Sequence, residues 1–405
     1  MKRSLLLLFG LAFLAFTGRA QTDYKDLAGQ QGSRVITTAV PFMMIAPDAR
    51  HGGMGESGVA TSPGANAMHW NPAKYAFIDK DFGFSISYSP WLRKLVNDIN
   101  LAYVSGFIKI DDLSTVAASL RFFSLGTILF TNEVGDPLGE YKPSEFALDA
   151  TYSRKFSEYF SGAVAGRFIY SNLTQGQNVA GAETSAGVSV AVDAAIYYER
   201  EVDLGNMDGV FAWGLNLSNM GNKISYSKTA IRRDFIPTNF RIGPRFTLNL
   251  DDYNTFNFSL DINKLLVPTP PVYLRDTANN NAPVYDEEGN PVVELGRDPN
   301  ISLVQGMIQS WYDAPYGFEE ELREFSFSLG VEYWYDKQFA IRGGFFYEDA
   351  TKGNRKFVTL GAGLRYNVFG LDLAYLIPLE QQNPLENTLR FSLLFNFEKA
   401  ANLED

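Results

Sequence analysis

Few residues of this 405-residue chain could carry out covalent or metal chemistry. The chain has no cysteine, so it offers no thiol nucleophile, no disulfide and no thiolate metal ligand. Its two histidines, His51 and His69, lie near Asp48 and Ser57, which are the residue types of a Ser–His–acid hydrolase. A hydrolase of membrane lipid would need its histidine on a strand at a lipid-facing rim, and a metal site would need a spaced third ligand. We therefore predict no catalytic residue, no metal site, no cofactor and no enzymatic activity.

Gly52, Gly53, Gly55 and Gly58 crowd the middle of the same stretch, "PFMMIAPDARHGGMGESGVATSPGANAMHWNPAKYAF", which runs from Pro41 to Phe77. Glycine-rich loops can cradle phosphate, but no Gly-Lys-Ser/Thr follows, and neither a preceding strand nor a following helix is predicted. Such glycines also permit tight turns and close approach of the backbone to other groups. Because residues 21–81 lack strand alternation, we predict that they form a compact segment packed against other elements.

The N-terminus has the features of a secretory signal peptide at residues 1–20. Lys2 and Arg3 precede the apolar run Leu5–Phe16, and small residues at positions 18 and 20 favour cleavage before Gln21. The apolar run is too short for a retained membrane helix. Loss of three positive charges with this peptide changes the formal net charge from −11 to −14, which argues against nucleic-acid binding. We predict an exported protein.

The rest of the chain is dominated by alternation of apolar and polar residues. From Arg323 to Tyr335, large apolar residues alternate with Ser, Gly and Glu, which is typical of a β-strand with two different faces. Fourteen segments of this kind are predicted: 82–89, 97–108, 114–125, 144–156, 159–172, 183–199, 209–219, 239–250, 253–264, 323–335, 337–348, 355–367, 368–377 and 387–397.

The connections between these segments are short at one end and long at the other. The long ones are 126–143, 173–182, 220–238 and 265–322. Short turns, long outer loops and an even strand number are the pattern of an outer-membrane barrel, and closure leaves no unpaired edge.

We therefore predict an all-β fold, a transmembrane antiparallel β-barrel of about 14 strands over residues 82–397. Residues 21–81 would plug its lumen, 265–322 would be a long extracellular insertion, and 398–405 a periplasmic tail. Both termini are expected in the periplasm. The arginines that recur on the strands are expected to face the lumen and pair with acidic residues there, namely Asp149, Asp193, Asp261 and Glu332.

The N-terminal stretch and the strand pattern together resemble a known family. A glycine-rich N-terminal stretch that ends in Asn-Pro-Ala, ahead of fourteen strands, is similar to the FadL-type barrels. More narrowly, the stretch resembles the PorV family, an outer-membrane barrel of the Bacteroidota type IX secretion system, and the likeness extends over essentially the whole mature chain. The motif residues that carry it are Pro47, Asp48, Arg50, Met54, Gly55, Gly58, Asn71, Pro72 and Ala73.

The resemblance implies protein handling. A PorV-type barrel binds the C-terminal signal domain of secreted cargo, collects that cargo from a large translocon barrel and passes it to a cell-surface attachment complex. The implied partners are the cargo, the translocon barrel, the protease of the attachment complex, and outer-membrane lipid with lipopolysaccharide. The alternative is a FadL-like transporter of hydrophobic small molecules, with an apolar pocket that residues such as Phe42 and Met43 would line.

The insertion 265–322 is the most individual feature of the chain. Loops of this length are usually functional or disordered. Residues Ile301–Trp311 have the spacing of a short amphipathic helix. Two interpretations stay open: the helix caps its own barrel, or it forms a docking surface for cargo or translocon. The candidate contact residues are Val304, Ile308, Trp311 and Tyr312.

Overall fold

A computed structural model describes residues 34–92, 98–131, 134, 136–176, 178–179, 182–203, 205, 207–227, 233–276, 282–380, 385–386 and 388–398. The predicted signal peptide, the first part of the predicted plug (21–33) and residues 399–405 of the predicted tail lie outside these ranges.

Fourteen antiparallel strands form a closed barrel in which the first strand pairs with the last. Each predicted strand has its counterpart, so the predicted fold class is confirmed. The strands are β1 (Phe82–Pro90), β2 (Asn100–Lys109), β3 (Ser114–Ser124), β4 (Ser144–Lys155), β5 (Phe160–Asn172), β6 (Gly187–Asp203), β7 (Asp208–Gly221), β8 (Asn239–Asn249), β9 (Asn254–Leu265), β10 (Phe325–Tyr335), β11 (Phe339–Tyr347), β12 (Lys356–Tyr366), β13 (Phe369–Pro378) and β14 (Leu389–Phe397).

Alternation along the strands separates a polar lumen from an apolar outer wall. On β10, Ser328 and Glu332 are fully buried, whereas Leu329 is 49% exposed on the outside. Aromatic residues gather on the outer wall at the short-turn end, as in the stacked pair Phe82 and Phe397, whose ring centroids are 4.7 Å apart. An apolar band bordered by an aromatic girdle is the outer surface that a membrane barrel presents to lipid.

The hairpin of β6 and β7 is longer than the sequence predicted. The predicted turn at 200–208 is wrong over its first part, since β6 continues to Asp203 and pairs there with Asp208. An antiparallel ladder can carry charged residues such as Arg200 and Glu201 wherever its faces meet water.

The described helices are short. They are α1 (Ala49–Gly52), α2 (Ala67–Trp70), α3 (Leu303–Gln309) and α4 (Phe318–Arg323), with 3₁₀ helices at Pro41–Met44 and Pro72–Phe77. The Ser302 hydroxyl accepts from the amide of Gln305 and so caps the N-terminus of α3. Within the described ranges, no helix is both long enough and apolar enough to cross a membrane.

Residues 34–81, the lumen segment, pass through the barrel from end to end. The amide of Arg34 donates to Thr351 O in the loop between β11 and β12, at the long-loop end, with N···O 3.0 Å. The amide of Asp81 donates to Phe397 O at the short-turn end, with N···O 3.1 Å. Lys80 pairs there with Glu398. The first and last described residues, Arg34 and Glu398, therefore lie at opposite ends of the barrel. The termini, which the sequence predicted in the periplasm, lie outside the described residues.

Candidate functional site: the lumen segment and the long-loop end

Gly55 of the lumen segment lies directly against the barrel wall. Its φ is +64°, and a Cβ added there would lie 2.5 Å from Phe345 N and 2.6 Å from Leu329 O. Its amide donates to Thr359 Oγ1 with N···O 2.8 Å. The preceding residue, Met54, is buried, and its carbonyl oxygen lies against Gly330 of β10. This is the close backbone approach for which only glycine leaves room.

Asp261 of β9 holds the next part of the segment. Its carboxylate accepts from Ser57 Oγ (2.8 Å), from Gly58 N (2.7 Å) and from Val59 N (2.9 Å). Asp261 is fully buried, so these charge-assisted hydrogen bonds form without competition from water. The expectation that Asp261 would pair with a lumen arginine misses this role: the carboxylate binds the lumen segment.

Asp48 organises the interior of the segment. Its carboxylate accepts from Trp70 Nε1 at 2.7 Å and lies 2.7 Å from His51 Nδ1, while the other ring nitrogen of His51 lies 2.9 Å from Thr61 Oγ1. Lys74 Nζ donates to the same hydroxyl at 2.9 Å. Side-chain types and distances match those of a hydrolytic triad with threonine in the place of serine.

Burial separates this arrangement from a working triad. Asp48, His51, Thr61 and Lys74 are each at most 3% exposed, so a substrate has no approach to them. Ser57, the serine that the sequence placed beside these residues, bonds to Asp261 instead. Of the residues that the structure describes, no three His, Asp or Glu side chains are grouped as metal ligands. The arrangement fixes the fold of the segment.

The Asn-Pro-Ala tripeptide ties the segment to a third part of the wall. Asn71 donates through Nδ2 to Ile196 O of β6 (2.9 Å) and to Val59 O (3.0 Å), and its Oδ1 accepts from Ala73 N. The carbonyl of Ala73 accepts from Ser153 Oγ and Ser161 Oγ on β4 and β5. Pro72 starts the 3₁₀ helix, where its missing N–H costs nothing.

Arg50 links the segment to the lumen ion pairs. Its guanidinium forms a two-point contact with the carboxylate of Glu332, at 2.9 and 2.7 Å, and Glu332 also accepts from Arg342. Arg167 lies between two carboxylates and pairs with both Asp149 and Asp193. The predicted pairing of strand arginines with lumen carboxylates is thus present for these residues. Pro47 is the remaining residue of the predicted motif, and it is buried within the lumen segment.

An apolar cluster fills the lumen toward the long-loop end. Phe42 and Met43, at 1% and 2% exposure, pack on inward-facing Leu101, Phe123 and Ile169. Phe42 stacks on Phe123 with ring centroids 6.1 Å apart. The side chains that could have lined a transport pocket are therefore packed against the wall.

The four candidate contact residues lie together on the insertion. The predicted helix is present as α3, and Val304, Ile308, Trp311 and Tyr312 are 64%, 58%, 43% and 52% exposed. The opposite side of α3 is packed, since Gly306 lies against Phe235 and the Pro268 ring. α3 thus covers part of the barrel and also presents an apolar face.

A buried ionic cluster fastens the insertion to the barrel. Lys264 Nζ of β9 lies 3.2 Å from Glu321 and 2.5 Å from Glu324, and Lys352 Nζ lies 3.0 Å from Glu324. Asp313 accepts from Thr269 N at 3.1 Å beside these carboxylates. Burial, together with the charges of Glu324 and Glu321, raises the pKa of Asp313 to about 6.

The sequence did not reveal that Asp261 holds the lumen segment or that Lys264 holds the insertion. The alternation of β9 correctly placed Asp261 inward, but its partners are about two hundred residues away in the chain. Lys264 stands at an outward position, two residues after the outward-facing Ile262. A charge at a wall position that should be apolar was the available signal that something covers it.

The family model described as type IX secretion system protein PorV matches residues 28–272, which is more than half of the chain and includes the entire motif from Pro47 to Ala73. None of the curated proteins matches the chain.

Among solved structures, the chain is similar to several proteins at low identity. The Pseudomonas putida toluene transporter TodX has a TM-score of 0.47 at 11% identity, over 85% of this chain and 95% of its own. The Ralstonia pickettii toluene transporter TbuX has a TM-score of 0.45 at 11% identity, over 87% of this chain and 98% of its own. A Pseudomonas aeruginosa FadL homologue has a TM-score of 0.42 at 12% identity, over 90% of this chain and 100% of its own. On the extent of the family match, the chain belongs to the PorV family of type IX secretion system proteins.

Proposed function

We propose that this outer-membrane barrel binds the C-terminal signal domain of secreted cargo at its long-loop end. It would receive the cargo from the large translocon barrel and pass it to the attachment complex with its protease. The observation that carries the proposal is the family match on a barrel whose lumen holds a segment bonded to the wall on many sides. A barrel held in this way acts through its outer end, where the loops and the insertion form a broad surface.

The proposal includes an orientation. Short turns face the periplasm and long loops face the cell surface in outer-membrane barrels. On that basis Asp112, in a short turn, is periplasmic, whereas Val35 and Tyr285, at the long-loop end, are on the cell surface. Arg34, where the lumen segment begins, would then lie at the cell surface, and Glu398 would lie at the periplasmic end.

Cysteine labelling tests this orientation without background, because the chain contains no cysteine. Val35→Cys, Tyr285→Cys and Asp112→Cys each place one thiol on a side chain exposed in the structure. A membrane-impermeant maleimide should label the first two on intact cells and Asp112→Cys only after the outer membrane is opened. Labelling of Asp112→Cys on intact cells, with Tyr285→Cys protected, would reverse the proposed orientation.

The alternative function is transport of hydrophobic small molecules. It requires an apolar pocket between the lumen segment and the outer loops. The packing of Phe42 and Met43 against the wall favours the adaptor, because those side chains fill the space that a ligand would need. In a planar bilayer the adaptor should also pass little current.

Affinity purification of the tagged protein from native outer membranes distinguishes the two functions. Mild detergent extraction followed by mass spectrometry should recover proteins that share one C-terminal domain, together with a very large barrel. The barrel alone, with a stoichiometric fatty acid or other small apolar ligand, would contradict the adaptor and support the transporter. A second exported barrel carrying the same tag is the control for non-specific recovery.

A further inference from the structure

The insertion is folded onto the outer wall of the barrel. Phe240, Lys264 and Phe325 are cross-strand neighbours on β8, β9 and β10. The residues next to Phe240 and Lys264 in sequence, Arg241 and Asn263, face inward, since the Arg241 guanidinium donates a hydrogen bond to Asn263 Oδ1 in the lumen. Because side chains alternate along a strand, Phe240, Lys264 and Phe325 form a row on the outside. Lys264 is nevertheless only 1% exposed, since Glu321 and Glu324 of the insertion cover it.

Trp311 lies on this outer row. Its ring centroid is 5.5 Å from that of Phe240 and 6.2 Å from that of Phe325, and Lys264 Nζ is 5.7 Å from it. The next outward row toward the short-turn end is Ile242, Ile262 and Phe327, which is fully apolar. That row is two residues, or about 7 Å, further along the strands. Trp311 therefore lies at the border of the lipid-facing wall that is nearer the long-loop end.

The residues around Trp311 continue the apolar wall onto the insertion. Val304 and Ile308 lie one turn apart on α3, Tyr312 follows shortly after that helix, and α4 exposes Phe318 and Leu322 at 75% and 52%. We call these side chains, with Trp311, the α3–α4 face. The guanidinium of Arg297 lies 4.6 Å from the ring centroid of Tyr312. Amphipathic aromatic rings with a nearby cation are the side chains that proteins place at the boundary of headgroups and acyl chains.

We propose that lipid of the outer leaflet covers the α3–α4 face, so that the insertion is anchored in the membrane interface. The supporting arguments are its continuity with the lipid-facing wall through Phe240 and Phe325, and the aromatic character of its border. Lipid on this face would also keep water from the buried Lys264 cluster beneath it. The proposal assigns the four residues that the sequence suggested for a protein partner to a membrane surface, and it does not depend on the identity of any cargo.

Spin labels at single cysteines test this assignment. Ile308→Cys places the label on the α3–α4 face, Glu287→Cys places it at an exposed turn of the same insertion, and Leu329→Cys places it on the lipid-facing wall. Each variant is reconstituted in phosphatidylethanolamine–phosphatidylglycerol vesicles, and label collision with oxygen and with a water-soluble nickel chelate is measured. The ratio of oxygen to nickel accessibility at position 308 should exceed that at 287 several-fold and approach that at 329.

Two results would overturn the proposal. An oxygen-to-nickel ratio at position 308 equal to that at 287 means that the face is in water. Protection of position 308 from both reagents means that protein covers it, either a second copy or a retained partner. The heat-dependent gel shift of a folded barrel, measured for each labelled variant, shows whether the label has disturbed the fold, and Val304→Cys provides a second position on the same face.

Discussion

Two charged residues three positions apart on β9 fasten two different attachments to the barrel. Asp261 points inward and holds the lumen segment, whereas Lys264 points outward and holds the insertion. Their side chains point to opposite faces because successive side chains of a strand alternate and the two residues are an odd number of positions apart. One strand thus serves both surfaces of the wall.

The two attachments differ in the kind of group that they use. Inside, the Asp261 carboxylate binds two backbone amides of the lumen segment, those of Gly58 and Val59. Outside, the tip of Lys264 meets the tips of Glu321 and Glu324. Backbone donors have fixed positions, whereas long side chains can adjust. The inner attachment should therefore tolerate far less change than the outer one.

The largest effect is expected from Gly55→Ala, which tests the inner fit. The new methyl group would meet the backbone of Phe345 and Leu329 at 2.5–2.7 Å, in a left-handed conformation that alanine disfavours. Strain and overpacking together should lower the free energy of unfolding by roughly 3–5 kcal/mol. Urea-induced unfolding in detergent, followed by near-UV circular dichroism, measures this loss.

Gly289→Ala is the matched control for Gly55→Ala. Gly289 has a φ of +79°, but nothing lies within 4 Å of the position of its Cβ. Gly289→Ala should therefore lower the free energy of unfolding of the insertion by only about 1 kcal/mol, which is the cost of the left-handed conformation. Equal losses of stability in the two variants would show that wall contact at Gly55 contributes nothing.

The next effect is expected from Asp261→Asn. The amide would present its own N–H group to the three donors of Ser57, Gly58 and Val59, which leaves buried donors without acceptors. The expected loss is about 3 kcal/mol in the free energy of unfolding. In planar bilayers the variant should conduct more than the wild type, because the lumen segment is held less tightly.

The same charge change at Asp252, in an exposed turn, is the control and should change neither stability nor conductance. Asp261→Glu sharpens the test of rigid fit: the extra methylene displaces the carboxylate from fixed amides, so the variant should also be destabilised. A fully stable Asp261→Glu would contradict the idea that the inner attachment depends on exact atomic positions.

Lys264→Met should have a smaller and more local effect. It leaves Glu321 and Glu324 buried with fewer cationic partners, although Lys352 still lies 3.0 Å from Glu324. The expected loss is about 2 kcal/mol of protection in the insertion, with the barrel unchanged. Hydrogen exchange of the peptides that contain α3 and α4, compared with β1–β5 peptides, measures it.

Lys264→Arg should retain most of that protection, because the long carboxylate side chains can move to meet the guanidinium. The contrast between a tolerated Lys264→Arg and a damaging Asp261→Glu is the sharpest form of the comparison between the two faces of β9. If Lys264→Arg loses as much as Lys264→Met, the outer attachment is as rigid as the inner one.

Strand alternation predicted the barrel well because its period is local. The inward position of Asp261 and the outward position of Phe258 can be read from β9 alone. The partners of Asp261 could not be read, since the amides of Gly58 and Val59 belong to a segment without periodicity. The motif glycines indicated close contact but not which strand they approach. The cover over Lys264 was recognisable only as a breach of the apolar outer pattern.

The smallest effect is expected from the pH dependence of the insertion, through Asp313. Its folded pKa of about 6 is raised above the ordinary value of 3.8, mainly by burial and then by Glu324 and Glu321. The folded state therefore binds the proton more tightly than the unfolded state does. Stability from this group is fully present below about pH 4 and is lost as pH rises through about 6.

Hydrogen exchange of the insertion, corrected for intrinsic rates, should therefore show less protection at about pH 8 than at about pH 5. Solvent screening should limit the difference to about 1 kcal/mol. Asp313→Asn keeps an oxygen for the amide of Thr269 but cannot ionise, so it should remove the difference, whereas Asp286→Asn in an exposed turn of the same insertion should not. A pH dependence that survives in Asp313→Asn would show that Asp313 is not the titrating group.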